Sequence, residues 1–322
     1  MSPTTQNTSV PQKRRNSAID FKPARQSILS FAADGRLNAR LPTKANPWDR
    51  DELVKAAKQT LSVLPGLLLT RPDALPDGHL CDQVPAINQK FCPKLPKTQV
   101  QVINMDTIDA ALTLANKSTS RKPVCILNMA NAIHAGGGFR TGALAQEEAL
   151  CYRTSLYLTL KLRHYPLPDK AVIYSPTVLV VRDNLTRGHD ILDCRDPRQL
   201  PLIAVVSAAA VFRPLVNDVL ANPSEEASQM YADADDRLLM AEKMRVVLRT
   251  AIRNRHRQIV LGALGCGAFQ NPPREVSQLW ADVLQEPEFS GGWWEDVVFA
   301  VLSDQRNRNY WWFERTLDGL MV

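Results

Sequence analysis

The chain has 322 residues, 45% of them hydrophobic, which is enough for one large domain or two small ones with a buried core. No apolar run approaches the ~20 residues of a membrane-spanning helix, and the polar start MSPTTQNTSVPQKRRNS lacks the apolar stretch of a secretory signal, so a soluble intracellular protein, cytoplasmic or nuclear, is expected. The net charge of +6 sits wholly in residues 1–46, with eight basic against two acidic side chains; the remaining 31 of each sign cancel, which argues against a nucleic-acid-binding body.

Taken in chain order, residues 1–46 are rich in Ser, Thr, Asn, Pro and Arg and too poor in apolar positions to fold alone, so a disordered basic arm is expected. Within it QKRRNS offers a weak nuclear-import patch or a kinase site at Ser17, set against a plain solvated tail. Trp48, Leu53, Ala57, Leu61 and Leu64 recur at helical spacing behind Pro47 and predict a helix over 50–64. Residues 70–96, proline-rich and aperiodic, read as a long connection, which makes 47–97 an N-terminal helical extension. From Thr98 strands and helices alternate, the pattern of an α/β domain over 98–322. TQVQVINM reads as a strand, DTIDAALTLAN as a helix capped by Asp106, and KPVCILNMAN as a strand buried on both faces. A helix over 146–160, strands at AVIYSP, TVLVV and PLIAVVSAAA, and a long helix over 232–256 follow. The stripe Met240, Met244, Val247, Leu248 and Ala251 on that last helix is what burial requires and reads as core. QIVLGALGCGAF is a further buried strand entering a glycine loop, PPREVSQLWADVL a helix, and EDVVFAVLS a final strand.

Two strands therefore end in glycine loops, at 136–138 and 262–267, and loops at strand ends build the ligand crevice of an open α/β sheet. Glycine lets backbone N–H groups approach a bulky anion, and two such loops facing one crevice suit a diphosphate. Neither loop has the GxxxxGK[ST] or GxGxxG pattern. Gly136 to Glu148 reads GGGFRTGALAQEE, so a flexible turn is followed within a few residues by two adjacent acids, groups suited to proton transfer. Without further context the acids equally suit simple charge complementarity at a helix N-terminus. The six cysteines show no CxxC pairing and read as reduced thiols, and the five histidines, His134 among them, show no ligand spacing, so neither a metal nor a disulfide framework is expected. Cys266 reads as a small packing thiol because no histidine is tied to it.

The run LNMANAIHAGGGFRTGALAQEEALCYRTSLY resembles the signature of the microbial poly(ADP-ribose) glycohydrolases, a branch of the macrodomain superfamily, with GGG, seven residues and then QEE. DTIDAAL, IYSP and VLGALGCGAFQNPPREV match in the family's order, so the resemblance runs from about Trp48 to the C-terminus; it departs at AIHA, where the family often has a basic or polar residue and then proline. The resemblance implies a three-layer α/β/α macrodomain-like sandwich around a mixed central sheet, with ADP-ribose lying across the strand ends. It also implies that Gly136, Gly137 and Gly138 shape the catalytic loop, and that Gly265, Cys266, Gly267 and Ala268 line the second diphosphate loop. Phe269 would pack near the distal ribose, Asn131 would orient a ribose, and Gln146 would join the substrate-binding set. Glu148 matches the catalytic acid and Glu147 the group that holds the neighbouring ribose hydroxyls.

The implied activity is hydrolysis of ribose–ribose bonds in poly(ADP-ribose), mainly from chain ends, by a monomer that needs no cofactor, releases ADP-ribose and acts in the DNA damage response. One carboxyl group can protonate the departing oxygen and then take a proton from the attacking water. Neighbouring helical residues diverge by about 100°, so the two glutamates divide the work. A helix N-terminus favours a carboxylate and opposes an acid there, so desolvation by substrate and the like-charged neighbour must restore the proton. The rival readings are a non-catalytic ADP-ribose reader, which has no use for an intact QEE, and a hydrolase of mono-ADP-ribosyl linkages on protein or nucleic acid.

Overall fold

The computed structural model describes residues 49–118, 120, 122–219, 228–303 and 308–322. The basic arm expected over 1–46 lies outside the described residues. Helix α1 (Arg50–Thr70) begins as expected, with Asp51 and Glu52 in its first turn, but runs on past Pro65. Leu64 and Leu67 are buried against Leu179, Val181 and Leu200, and this packing carries the helix through a residue that cannot donate an internal hydrogen bond. The stretch expected to be a plain connection holds β1 (His79–Asp82), a short edge strand antiparallel to β4 (Ala171–Leu179). Its four largely exposed residues carry no apolar alternation that sequence could show.

Strand β2 (Val100–Ile103) leads into α2 (Thr107–Lys117), whose N-cap Asp106 accepts from the Ile108 and Asp109 N–H groups as expected. Strand β3 (Cys125–Met129) is followed by the glycine loop and α3 (Gln146–Arg153). The single helix expected over 146–160 is broken: Thr154 is extended and bridges Val180, and Leu179 N donates to Ser155 Oγ at 2.9 Å before α4 (Leu156–Thr159) begins. Pairing with the end of β4 replaces helical bonds there. The two strands expected at AVIYSP and TVLVV are one, β4, with an irregularity between Ser175 and Val178 around Pro176, which has no N–H to give a ladder.

Then come β5 (Leu202–Ala208), a hairpin of β6 (Val216–Val219) and β7 (Ser228–Tyr231), α5 (Ala234–Arg253), β8 (Gln258–Leu261), α6 (Pro273–Gln285), β9 (Asp296–Ala300) and α7 (Asn309–Leu317). The hairpin and α7 were not anticipated by sequence. The seven-stranded sheet has the order β1-β4-β5-β3-β8-β9-β2, parallel from β5 to β2 and antiparallel at β1 and β4, a mixed sheet as expected.

Alternation along each strand sends side chains to two buried faces. Cys125, Leu127, Val206, Ile259 and Phe299 meet the helical stripe Met240, Met244, Val247, Leu248 and Ala251 on one face, with α6 and α7 beside it. Ile126, Val205, Val260 and Val298 meet α1, α2 and α3 on the other. That is why the strands read as unbroken apolar runs, and it yields helices on both sides of the sheet. The expected N-terminal extension contributes α1 to this core, Leu53, Ala56 and Ala57 packing in one cluster with Phe139 and Leu150. None of the described helices is long and apolar enough to cross a membrane.

Candidate active site

Central strand β3 delivers the chain at Met129 to the Asn131–Gly138 segment, and α3 returns over it. Gln146, the first residue of α3, fastens the helix to the strand: its Oε1 accepts from Met129 N at 2.9 Å and its Nε2 donates to Leu127 O at 2.8 Å. Both ends of this side chain are occupied by β3, so Gln146 positions the helix. At the other end of α3 the buried Arg153 donates to Asp109 Oδ1 at 2.8 Å and pairs with Asp106. Asp109 also accepts from Arg187 and Asn184, both at 2.8 Å; burial raises its carboxyl, but Arg187 and then Arg153 hold it below the usual range.

The two acids are treated unequally. Glu147 is 3% exposed and faces the exit of β3: its Oε2 accepts from Asn131 N at 2.8 Å and its Oε1 from Asn128 Nδ2 at 3.4 Å. Burial pushes its carboxyl up to about 8, more than these donors and the Gly136 N–H pull it down, with the Glu148 charge adding to the rise. Glu148 is 8% exposed, and both its oxygens accept backbone N–H bonds, from Gly138 at 2.9 Å and from Ala145 at 3.1 Å. The Ala145 bond is half of a capping box, so the plain helix-start role read from sequence is present alongside any chemical one.

The glycine loop is shaped around these acids. Gly136 and Gly137 have φ of +71° and +56°, the region that favours glycine, whereas Gly138 has an ordinary φ of −99°. A Cβ on Gly137 would lie 3.2 Å from Glu147 Oε2 and closer still to Glu148 Oε1, so the two carboxyls converge on one point of the turn despite leaving the helix in different directions. A Cβ on Gly138 would meet Ala143 Cβ at 2.7 Å. The N–H groups of Gly136 and Gly138 point at the glutamates and that of Gly137 at His134 O, so this loop spends its donors on the protein's own acids and turn. Asn131 places its Oδ1 on the N–H groups of Ile133 and His134, at 2.8 and 2.9 Å, an Asx turn that starts the loop.

The second loop, after β8, is different. Gly265 has φ +76° and an added Cβ would lie 2.6 Å from Ala210 Cβ, while Gly267 and Ala268 are exposed and a Cβ on Gly267 meets nothing within 4 Å. Among the described residues the N–H groups of Gly267, Ala268 and Phe269 donate to no protein acceptor, which leaves them free for an anion. Burial pushes the Cys266 thiol up, away from the reactive thiolate, in keeping with a packing role. Phe269 is half-buried, its ring 5.0 Å from that of Phe212 in an edge-on contact.

Sequence reasoning missed two residues. Asn128 is fully buried on β3, its Nδ2 shared between Glu147 and Ser207 Oγ (3.0 Å); its one signal was a polar side chain inside an apolar run. Asn271 is 1% exposed and staples the second loop, donating to Val211 O at 2.7 Å and Phe269 O at 3.2 Å while accepting from the Tyr231 hydroxyl at 2.9 Å.

A central strand ending in a glycine turn, capped by a buried acid pair and flanked by a loop of free N–H groups, brings proton-transfer groups and donors for an anion together at the strand ends of an α/β sheet. Residues 51–183, which include both glutamates, match the microbial-type PARG (poly(ADP-ribose) glycohydrolase) catalytic domain. Poly(ADP-ribose) glycohydrolase from Thermomonospora curvata is 25% identical, covering 83% of this chain and 99% of its own, with a TM-score of 0.66. The same enzyme bound to the inhibitor ADP-HPD gives 26%, 82% and 99%, with 0.64. The Deinococcus radiodurans enzyme in complex with ADP-ribose gives 26%, 80% and 98%, with 0.59. No curated protein matches the chain. The match over residues 51–183 and the likeness of the fold to solved poly(ADP-ribose) glycohydrolases together support a glycosyl hydrolase.

Proposed function

We propose that the protein hydrolyses the ribose–ribose bonds of poly(ADP-ribose) from chain ends, releasing ADP-ribose, with Glu148 as acid–base catalyst and Glu147 as the group that holds the ribose. The observation that carries this reading is the convergence of two buried carboxyls on Gly137, one tethered to the strand exit and the other to the glycine loop. Burial raises the Glu147 carboxyl to about 8, so in the free protein it carries a proton at neutral pH. Ribose hydroxyls donating to Glu147 favour its carboxylate, and its proton passes through Glu148 to the departing oxygen.

Glu148 then gives that proton to the oxygen as the bond to the anomeric carbon breaks, and the positive character developing on the ribose is stabilised by the neighbouring carboxylate. Water adds to the anomeric carbon and returns a proton to Glu148, so the site is restored with no net change. The diphosphate of the bound ADP-ribose suits the free N–H groups of Gly267, Ala268 and Phe269. In this reading the protein acts as a monomer inside the cell. Incubation with purified poly(ADP-ribose) and, separately, with mono-ADP-ribosylated protein tests the reading. Free ADP-ribose released from the polymer is expected; release from the modified protein alone favours the mono-ADP-ribosyl hydrolase, and release from neither favours a reader.

A further inference from the structure

Beyond the ADP-ribose crevice, the loop that leaves β5 presents an aromatic ring to solvent. Asn128 and Met129 of β3 pair with Ser207 and Ala208 of β5, and Ala130 N donates to Ala208 O at 2.9 Å. The two loops therefore start level, one toward Asn131 and the acid pair, the other toward Phe212 and Arg213. The second glycine loop grips this segment from the far side through the Asn271 bond to Val211 O, the Gly265 contact with Ala210, and Arg213 N donating to Phe269 O at 2.9 Å. That last bond holds Arg213 at φ +47°, a conformation seldom adopted by a long side chain.

On this braced segment Phe212 is 65% exposed, although Phe269 backs it edge-on at 5.0 Å. The Arg213 guanidinium lies 5.3 Å from the Phe212 ring centre, and among the described residues it has no carboxylate partner. A fixed, solvent-facing ring beside an unpaired guanidinium is the equipment for a nucleotide, since the ring stacks a base and the guanidinium stacks or binds phosphate.

In poly(ADP-ribose) the bond to be broken joins the terminal distal ribose to the ribose 2′-oxygen of the next unit's adenosine. The leaving group is thus itself a nucleotide, with an adenine and a diphosphate of its own, and it must lie beyond the distal ribose. We propose that Phe212 and Arg213 form the subsite for this leaving nucleotide, so that they select a polymer over ADP-ribose attached to any other group. This rests on the glycohydrolase reading given above. Phe212 stacks the leaving adenine and Arg213 engages its phosphates; neither touches the ADP-ribose that fills the crevice.

The test compares wild type, Phe212→Ala and Arg213→Gln in kcat/KM for poly(ADP-ribose) and for an ADP-ribosyl p-nitrophenyl glycoside, whose leaving group carries no nucleotide, together with Kd for free ADP-ribose. Loss of one stacked base lowers polymer kcat/KM by at least about fivefold in Phe212→Ala. Glycoside turnover and the Kd for ADP-ribose stay within about twofold of wild type. Arg213→Gln weakens polymer turnover and flattens its dependence on salt. Unchanged polymer kinetics in both variants, or an equal fall on both substrates, overturns the subsite. A wild type that leaves the polymer intact overturns the glycohydrolase reading and the subsite with it, whereas a polymer-active wild type matched by Phe212→Ala overturns only the subsite.

Discussion

Adjacent glutamates acquire unlike chemistry here because successive residues on one helix turn face different partners. Glu147 reaches the buried end of β3 and meets only an amide and backbone N–H groups, too little to offset its desolvation, so its carboxyl stays protonated up to about pH 8. A folded-state pKa raised above the unfolded value contributes stability that is present at low pH and lost as the pH rises through about 8. Glu147→Gln, which cannot ionise, should therefore gain stability relative to wild type as the pH rises from 5 to 9, by roughly 2–4 kcal/mol at the upper end. Denaturant unfolding across that range checks it. A difference that does not change with pH would mean the carboxyl is not the buried acid described.

At the scale of elements, the site depends on three staples: Gln146 and Arg153 at the ends of α3, and Asn271 between the second loop, the segment after β5 and Tyr231. Asn271→Ala strands a buried tyrosine hydroxyl and several carbonyls and should cost about 3 kcal/mol in denaturant unfolding, with ADP-ribose affinity falling as the free N–H groups lose their alignment. A stability change under about 0.5 kcal/mol would show the staple to be unnecessary. Elements that declare themselves locally were legible in the sequence: the Asp106 cap, the apolar stripe of α5, the doubly buried β3 and β8, and the glycine turns at their ends. What escaped is set by distant partners. β1 is a strand because β4 needs an edge neighbour, α3 breaks because Thr154 pairs with Val180, and α1 passes Pro65 because Leu67 has a pocket to fill. Asn128 and Asn271 have no spacing pattern at all, since their partners lie 79 and 60 residues away at Ser207 and Val211. Gly138 shows the limit of reading a triplet as one unit, for unlike its neighbours it is small because Ala143 abuts it.

For the whole molecule, the buried hydrophobic clusters among the described residues run from Leu53 to Val322, while the net charge lies in residues 1–46. We propose that the arm serves long polyanions and not the fold. Its deletion should leave the melting temperature and the Kd for free ADP-ribose unchanged and weaken binding to long poly(ADP-ribose), most at low salt; a large fall in melting temperature would place the arm in the fold. Whether the acid pair makes this a glycohydrolase is decided by measuring turnover of poly(ADP-ribose) and binding of ADP-ribose in the same preparation of Glu148→Gln. Glutamine keeps the size and one acceptor of the side chain but cannot donate the proton, so turnover should fall by ~10²–10⁴-fold while the protein stays folded and still binds ADP-ribose. The wild-type rate should itself decline as the pH rises through about 8, where Glu147 gives up its proton. Hydrolysis of the polymer by Glu148→Gln at the wild-type rate would show that Glu148 is not the proton donor.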